Sequence, residues 1–408
     1  MSTAPAGGGP ARDVLAELID PVSLEEFVEI YYERRPLLVQ GQNQGCFDRF
    51  LTLDDVDRLL GESHLNSDYV RIVQDGKSRS LQEGTNEDLN QSEGGLEALF
   101  QRYRQGASIV LLSLQERWRP LQELCRSLTV SLSARMQVNA YLTPPLARAL
   151  ELHYDTHDVF VLQTHGSKSW RLYAPWTELP LRTSPFRNAP EDLRPIDEFI
   201  LNAGDLLYLP RGYPHDVRSC DSTSLHVTLG VKPILWAEVL EEAVHAAIES
   251  DATLRRSLPP RFASDPVLFD VCVAELRRLL ESTLQQISAE AAMRNARSRS
   301  ELAAQPSLRG HLRDLDQQAQ VDLETAVMVR RESNPTLTIN DGYVHIGFHG
   351  KRVRLPSHTE RTLRFLLAAS SFSAADLPDD LDETSRLLLV KRLIHEGLLV
   401  RCPSSGRN

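Results

Sequence analysis

The chain has 408 residues but only five cysteines, 6% aromatic residues and no surplus of basic charge, and each shortage closes off a class of protein. The cysteines (Cys46, Cys125, Cys220, Cys272, Cys402) are odd in number, widely scattered and form no C-x-x-C pair. That argues against a disulfide framework and against a thiolate zinc site. Lys plus Arg total 45 against 56 Asp plus Glu, a net charge of −11, so a main role in coating nucleic acid is not expected. No run approaches the roughly 18 to 20 uncharged apolar residues of a membrane helix. The opening MSTAPAGGGPAR (residues 1–12) has no apolar stretch and reads as a disordered lead-in rather than a secretory signal. These absences together predict a soluble, reduced, cytoplasmic protein.

At roughly 150 residues per domain the length predicts two or three domains. Three regimes follow one another. Residues 13–235 open with helical stretches such as LEEFVEIYYERR and continue with short apolar runs of strand length: SIVLLSL, ARMQVNAYL, DVFVLQTHG, KSWRLYAP, DLLYLP and SLHVTLGV. Strands of that length between Gly, Pro and polar turns predict an antiparallel sandwich or barrel. Residues 236–325 lose the strand signal, and VLFDVCVAELRRLLESTLQQISAEAAMRNA spaces its apolar residues three and four apart, as amphipathic helices do. The Pro-Ser near Pro306 is the linker candidate inside this stretch. Residues 326–408 combine TLTIN and YVHIGFH, split by Asp341-Gly342, with two helical patterns, and resemble a winged helix. From Arg330 to Arg401 there are 11 basic and 9 acidic residues and no basic stripe, so this region is not expected to read nucleic acid.

Chemistry concentrates in ELHYDTHDVFVLQTHGSKSW. His153 and Asp155 are two apart, which on a strand puts both side chains on one face. His215 follows far downstream in YLPRGYPHDV, where a strand, a turn and a new strand are expected. Two imidazoles and one carboxylate form the donor set of non-haem Fe(II) sites and leave positions open, whereas a structural zinc site is closed by four ligands. In a chain with 12 histidines an H-x-D triplet alone is a weak signal, and His157, His165 and His226 compete with it. Lys168, on or near the edge of the following strand, changes the weighing. A 2-oxoglutarate cosubstrate chelates iron through one end, and its distal carboxylate then needs a cation; a buried ammonium is offset only by such an anion. Asn139, upstream in QVNAYLTPP, and Thr228, in HVTLG, could add neutral donors beside the cosubstrate.

The stretch NAYLTPP…LHYDTHDVFVLQTHGSKSWRLY, followed by GDLLYLPRGYPHDV and SLHVTLGV, resembles the Jumonji-C cupin oxygenases of the ribosomal-oxygenase group, which includes bacterial and eukaryotic hydroxylases of ribosomal proteins. FVEIYYERRPLLVQG is similar to that family's N-terminal entry, and the likeness runs from about Leu15 to Arg401, loosening towards the C-terminus. It implies an α+β protein: an N-terminal double-stranded β-helix (cupin or jelly-roll) domain, a helical middle domain that pairs two copies, and a C-terminal winged-helix-like domain. It implies His153, Asp155 and His215 as Fe(II) ligands, Lys168 on the distal carboxylate of 2-oxoglutarate, Asn139 and Thr228 lining that pocket, and Tyr141 facing the substrate. Tyr141 reads equally well as a half-buried strand aromatic. His157 is then structural and His226 a strand residue near the pocket.

Two positions depart from the family pattern. His165 stands where an acidic residue is common, and Gly230 where members acting on histidine tend to carry a serine. The missing hydroxyl weighs against a histidyl substrate and leaves the oxygenase chemistry untouched. The expected activity is O₂-dependent hydroxylation of a side chain in a protein, a ribosomal protein first, or in a peptide. The alternatives are tailoring of a peptide natural product, N-methyl-lysine demethylation, a Zn or Mn cupin isomerase, and a non-enzymatic cupin coupled to a winged helix.

Overall fold

The computed structural model describes residues 13–41, 45–62, 69–74, 76–80, 94–184, 190, 192–303, 308, 310–330, 333, 335–340, 342–348 and 351–402. The lead-in of residues 1–12, the linker candidate at Pro306 and Asp341 lie outside them. Contacts divide the chain into two units, one ending at Pro233 and one beginning at Ile234.

The first unit begins with α1 (Val14–Ile19), whose Asp13 cap accepts from the Leu15 amide, and α2 (Leu24–Glu26), which runs on as a π turn over Phe27–Tyr31. The helical reading of LEEFVEIYYERR is therefore too long: Tyr32 turns extended and Glu33 takes a left-handed φ of 57°. Next come β1 (Leu37–Val39), α3 (Leu53–Glu62), β2 (Val70–Gln74), β3 (Lys77–Ser80), α4 (Gly94–Arg104), β4 (Ser108–Leu111) and α5 (Arg119–Leu132). The remaining strands are β5 (Arg135–Thr143), β6 (Asp158–His165), β7 (Ser167–Tyr173), β8 (Pro195–Asn202), β9 (Leu206–Leu209), β10 (His215–Ser219) and β11 (Ser224–Lys232). They form one sheet of order β1-β9-β6-β11-β5-β4-β2-β3 and a second of order β10-β7-β8, with every pairing antiparallel.

Alternation along the central strands decides what each face does. Leu225, Val227, Leu229 and Val231 of β11, with Val138 and Ala140 of β5, join the core that also takes in Leu121, Leu124 and Leu128 of α5. The opposite faces supply Val159 and Val161 of β6 and Leu207 and Leu209 of β9, which pack on Trp170, Leu172 and Leu201 of the smaller sheet. The polar residues Asn139, Tyr141, Thr143, His226 and Thr228 therefore lie on the face turned towards that sheet. β6 and β7 meet at Gly166, where φ is +64° and a Cβ would fall 2.1 Å from the Thr223 carbonyl oxygen, so no other residue fits.

The second unit contains α6 (Trp236–Ser250), α7 (Pro266–Gln286), α8 (Ala289–Ala303), α9 (His311–Asp316), β12 (Val327–Val329), β13 (Thr336–Asn340), β14 (Tyr343–Phe348), β15 (Lys351–Pro356), α10 (Glu360–Ala368), α11 (Glu383–His395) and β16 (Leu399–Arg401). Asp265 caps α7 by accepting from two amides, with Pro266 at its first position. Its C-terminal part has a core of its own around Val327, Val344, Ile346, Leu363, Leu366, Leu393 and Ile394. Some strands escape a reading by apolar runs, among them β8 and β15. β8 is an edge strand whose residues are mostly exposed, and β15 alternates exposed charge with Val353 and Leu355. Among the described residues no helix is long and apolar enough to cross a membrane.

Candidate active site

His153 and Asp155 precede β6 and are not in a ladder, so the strand argument for their shared face does not hold. An isolated bridge does the work instead. The His215 amide donates to the His153 carbonyl at 2.9 Å, the His153 amide donates back at 3.4 Å, and the Gly212 amide donates to the Asp155 carbonyl at 2.9 Å. Gly212 is required here, because its φ is +89° and a Cβ would lie 2.6 Å from the Thr177 carbonyl oxygen.

Main-chain carbonyls also settle the imidazoles. His153 Nδ1 lies 2.7 Å from the Glu151 oxygen and His215 Nδ1 lies 3.1 Å from the Tyr213 oxygen. A carbonyl can only accept, so each Nδ1 carries a proton, which leaves Nε2 as the ring atom that can bind a metal. His215 Nε2 is 4.0 Å from Asp155 Oδ2, and one donor atom from each of His153, Asp155 and His215 lies within 4.8 Å of the others. It is the one such cluster among the described residues. Burial, reinforced by the neighbouring His153, pushes the His215 imidazole down to about 4, which keeps it neutral and able to donate a lone pair. Trp170 lies nearly parallel to it at 5.6 Å. Two imidazoles and a carboxylate whose donor atoms converge suit a divalent iron held on one side.

Lys168 points inward from β7 and is 3% exposed. Its Nζ donates to Thr143 Oγ1 at 2.9 Å, with Ser108 Oγ 3.1 Å from the same hydroxyl, and among the described residues no carboxylate pairs with it. Burial pushes the ammonium down to about 7. A cation in that state gains most from an anion delivered into the same space. His226 lies within electrostatic reach of both Lys168 and His215; burial first, then those two groups, holds it well below its usual range. Its ring is parallel to Tyr141 at 4.9 Å, and its Nδ1 is buried with no hydrogen-bond partner among the described residues. Burial first, and then the Asp155 carboxylate, raises the Tyr141 phenol to about 12. Asn139 faces Thr228 across β5 and β11, and its Oδ1 accepts from the Ser113 amide at 3.2 Å, leaving the side-chain NH₂ free of that bond.

The structure thus brings His153, Asp155 and His215 together, sets Lys168 inside and places Asn139 opposite Thr228, both of which the sequence reading gives as pocket-lining residues. That reading misses Thr143, the group that actually holds the ammonium, and gives His226 no task. Both were open to discovery: Thr143 continues the every-second-residue series of Asn139 and Tyr141, and His226 is the register partner of Tyr141.

Gly230 has a local explanation. A Cβ there would fall 2.8 Å from Cδ2 and Nε2 of His157, so the imidazole occupies the space a side chain on this strand position would take. Gly230→Ser is expected to lower stability by about 1 kcal/mol, the mild end of overpacking because a ring can turn aside. His157→Ala in the same protein should recover the loss. An unchanged melting temperature in the single variant would show that the two positions do not compete.

Residues 112–239 match the JmjC domain family. The bifunctional lysine-specific demethylase and histidyl-hydroxylase NO66 of Drosophila persimilis is 32% identical over 255 residues, 61% of this chain and 36% of that protein. Ribosomal oxygenase 1 of Gallus gallus is 33% identical over 261 residues, 61% of this chain and 42% of that protein. The chain therefore spans well under half the length of these relatives. An X-ray structure of Escherichia coli YcfD covers 93% of this chain and 98% of its own, with a TM-score of 0.55 and 18% identity, a likeness of fold. The same protein, described as a ribosomal oxygenase, has been solved in complex with cobalt and 2-oxoglutarate (TM-score 0.50, 17% identity, 93% of this chain and 98% of its own).

Proposed function

Residues 112–239 being a JmjC domain related to those of the ribosomal oxygenases, we propose that the chain is an Fe(II)- and 2-oxoglutarate-dependent hydroxylase of a side chain in a protein or peptide, a ribosomal protein foremost. The observation that carries this is the convergence of two imidazoles and one carboxylate, together with a buried ammonium that no carboxylate among the described residues pairs with. Bound Fe(II) with 2-oxoglutarate and O₂ supplies the oxidation, turning the cosubstrate into succinate and CO₂ and a C–H bond into C–OH.

The chain's residues do the rest. His153, Asp155 and His215 hold the metal from one side. Lys168, itself held by Thr143, takes the distal carboxylate, while Asn139, Thr228 and His226 bound the cosubstrate. Tyr141 stands between the triad and an incoming substrate. The smaller sheet closes over this interior with Trp170 and Leu172 and keeps water from it. The test is succinate release from 2-oxoglutarate by purified protein with Fe(II), accelerated by ribosomal protein. Mass spectrometry then has to show a gain of one oxygen on that protein. Succinate release with no oxygen gained by any ribosomal protein would move the substrate elsewhere; no succinate at all would end the reading.

The same reading includes a homodimer, a winged-helix-like character for residues 326–408 and a cytoplasmic location, the last in keeping with five free cysteines. The helices α6 to α8 support the pairing. Trp236 and Val267 are each 75% exposed and Leu284 69%, and Leu240, Val271, Leu276 and Leu280 are exposed beside them on the same helices. So much apolar helix surface in water is characteristic of an association site. Light scattering at micromolar concentration is expected to give twice the chain mass of 45.9 kDa, and a monomer at that concentration would overturn the pairing.

A further inference from the structure

Three charged side chains outside the donor set meet one another in the first unit. Asp158 at the start of β6 is fully buried, Arg211 in the loop before β10 is 6% exposed, and Glu33 comes from the left-handed turn after the N-terminal π turn. The Arg211 main-chain amide donates to Asp158 Oδ1 at 2.8 Å, and its guanidinium Nη1 lies 3.3 Å from the same oxygen while also donating to Glu33 Oε1. The Glu33 amide donates to the Tyr208 hydroxyl at 2.9 Å, and that hydroxyl faces Asp158 Oδ2 at 3.4 Å. Tyr213, further along the same loop, donates to the Arg34 carbonyl at 2.9 Å.

We propose that Glu33, Arg211 and Asp158 are positioning residues for the metal centre, a buried charge clamp that fixes the Asp155 segment against the loop that presents His215. Asp158 follows closely on Asp155 and Arg211 shortly precedes His215, so each charged group sits beside a different donor. A buried ion pair adds little stability over apolar packing, because desolvation offsets the attraction. What it does add is directionality. One carboxylate oxygen takes both a main-chain and a side-chain bond from Arg211, which leaves the loop one orientation. The N-terminal segment joins from a third direction through Glu33. The two donor-bearing segments are also joined by the main-chain bonds of His153, Asp155, Gly212 and His215 and by the contact of the two imidazole rings.

The inference rests on the metal site proposed above, and Co(II) separates the two. Co(II) is titrated into wild type, Asp158→Asn, Glu33→Gln and His153→Ala without cosubstrate, followed by visible absorption, and melting of the metal-free proteins reports stability on its own. Asp158→Asn keeps the shape and loses the charge; its Co(II) affinity is expected to fall about 10- to 100-fold, the usual cost of altering groups that orient metal ligands, with a shifted absorption band. Glu33→Gln, at a half-buried position, shifts both in the same direction by less. Wild-type affinity and band in folded Asp158→Asn overturn the clamp. Should Asp158→Asn not fold, wild-type affinity and band in Glu33→Gln overturn it. Wild-type Co(II) binding by His153→Ala fails the metal site instead.

Discussion

His153→Ala and Asp155→Ala are each expected to bring succinate release down to the level of the metal-free protein while leaving the fold intact. The separation follows from how the site is held. The bonds that dock His153 and Asp155 onto the loop before His215 are made by main-chain amides and carbonyls, which an alanine still provides. Only the Nε2 lone pair or the carboxylate is lost, and two donors do not hold a metal as three do. Melting should show it directly. A metal at a hundredfold excess over its Kd stabilises the native state by about 2.7 kcal/mol, and both variants should lose that increment while their metal-free melting stays near wild type. Full turnover by both variants would mean that these donors do not make the site.

How much of this could be read from residues alone depended on which force does the placing. β5, β6, β7 and β11 are long, apolar on at least one face and bounded by turns, and their runs are visible in the sequence. β8 is mostly exposed and β15 carries charge on half of its positions, so both are defined by their partners, which no local pattern records. The donor set was legible through Lys168 and the family resemblance around it, since an H-x-D triplet alone is common in a chain with 12 histidines. Its geometry was not, since an isolated bridge to the remote His215, rather than membership of a strand, aligns His153 with Asp155. Glu33 was out of reach for the same cause. Its meeting with Arg211 joins opposite ends of the first unit and depends on a helix that stops early, at Tyr31. Local signals told where chemistry was possible, and long-range main-chain contacts decided how it was arranged.

Lys168→Met is expected to have opposite effects on stability and on cosubstrate binding. The ammonium is buried against a hydroxyl with no carboxylate among the described residues, so in the free protein it carries a desolvation cost that one neutral hydrogen bond does not offset. A thioether of similar length removes that cost, and the free variant should melt above wild type. With 2-oxoglutarate the balance reverses. A charge-assisted hydrogen bond contributes about 1.5–3 kcal/mol, so the KM for 2-oxoglutarate should rise about 10- to 100-fold in the variant, with the melting gain on adding cosubstrate reduced accordingly. The pH dependence of the wild type tests the same charge. The free ammonium titrates at about 7 and is held protonated once the carboxylate binds, so affinity is fully present below pH 7 and declines above it, by about tenfold per unit until the bound form itself titrates. Lys168→Met should abolish that slope. A KM for 2-oxoglutarate that is flat from pH 6 to 9 in wild type, or equal in the two proteins, would place the distal carboxylate elsewhere. If instead both shifts occur while the free variant melts lower than wild type, Lys168 would bind the carboxylate yet also contribute to packing, and the burial argument for its cost would be at fault.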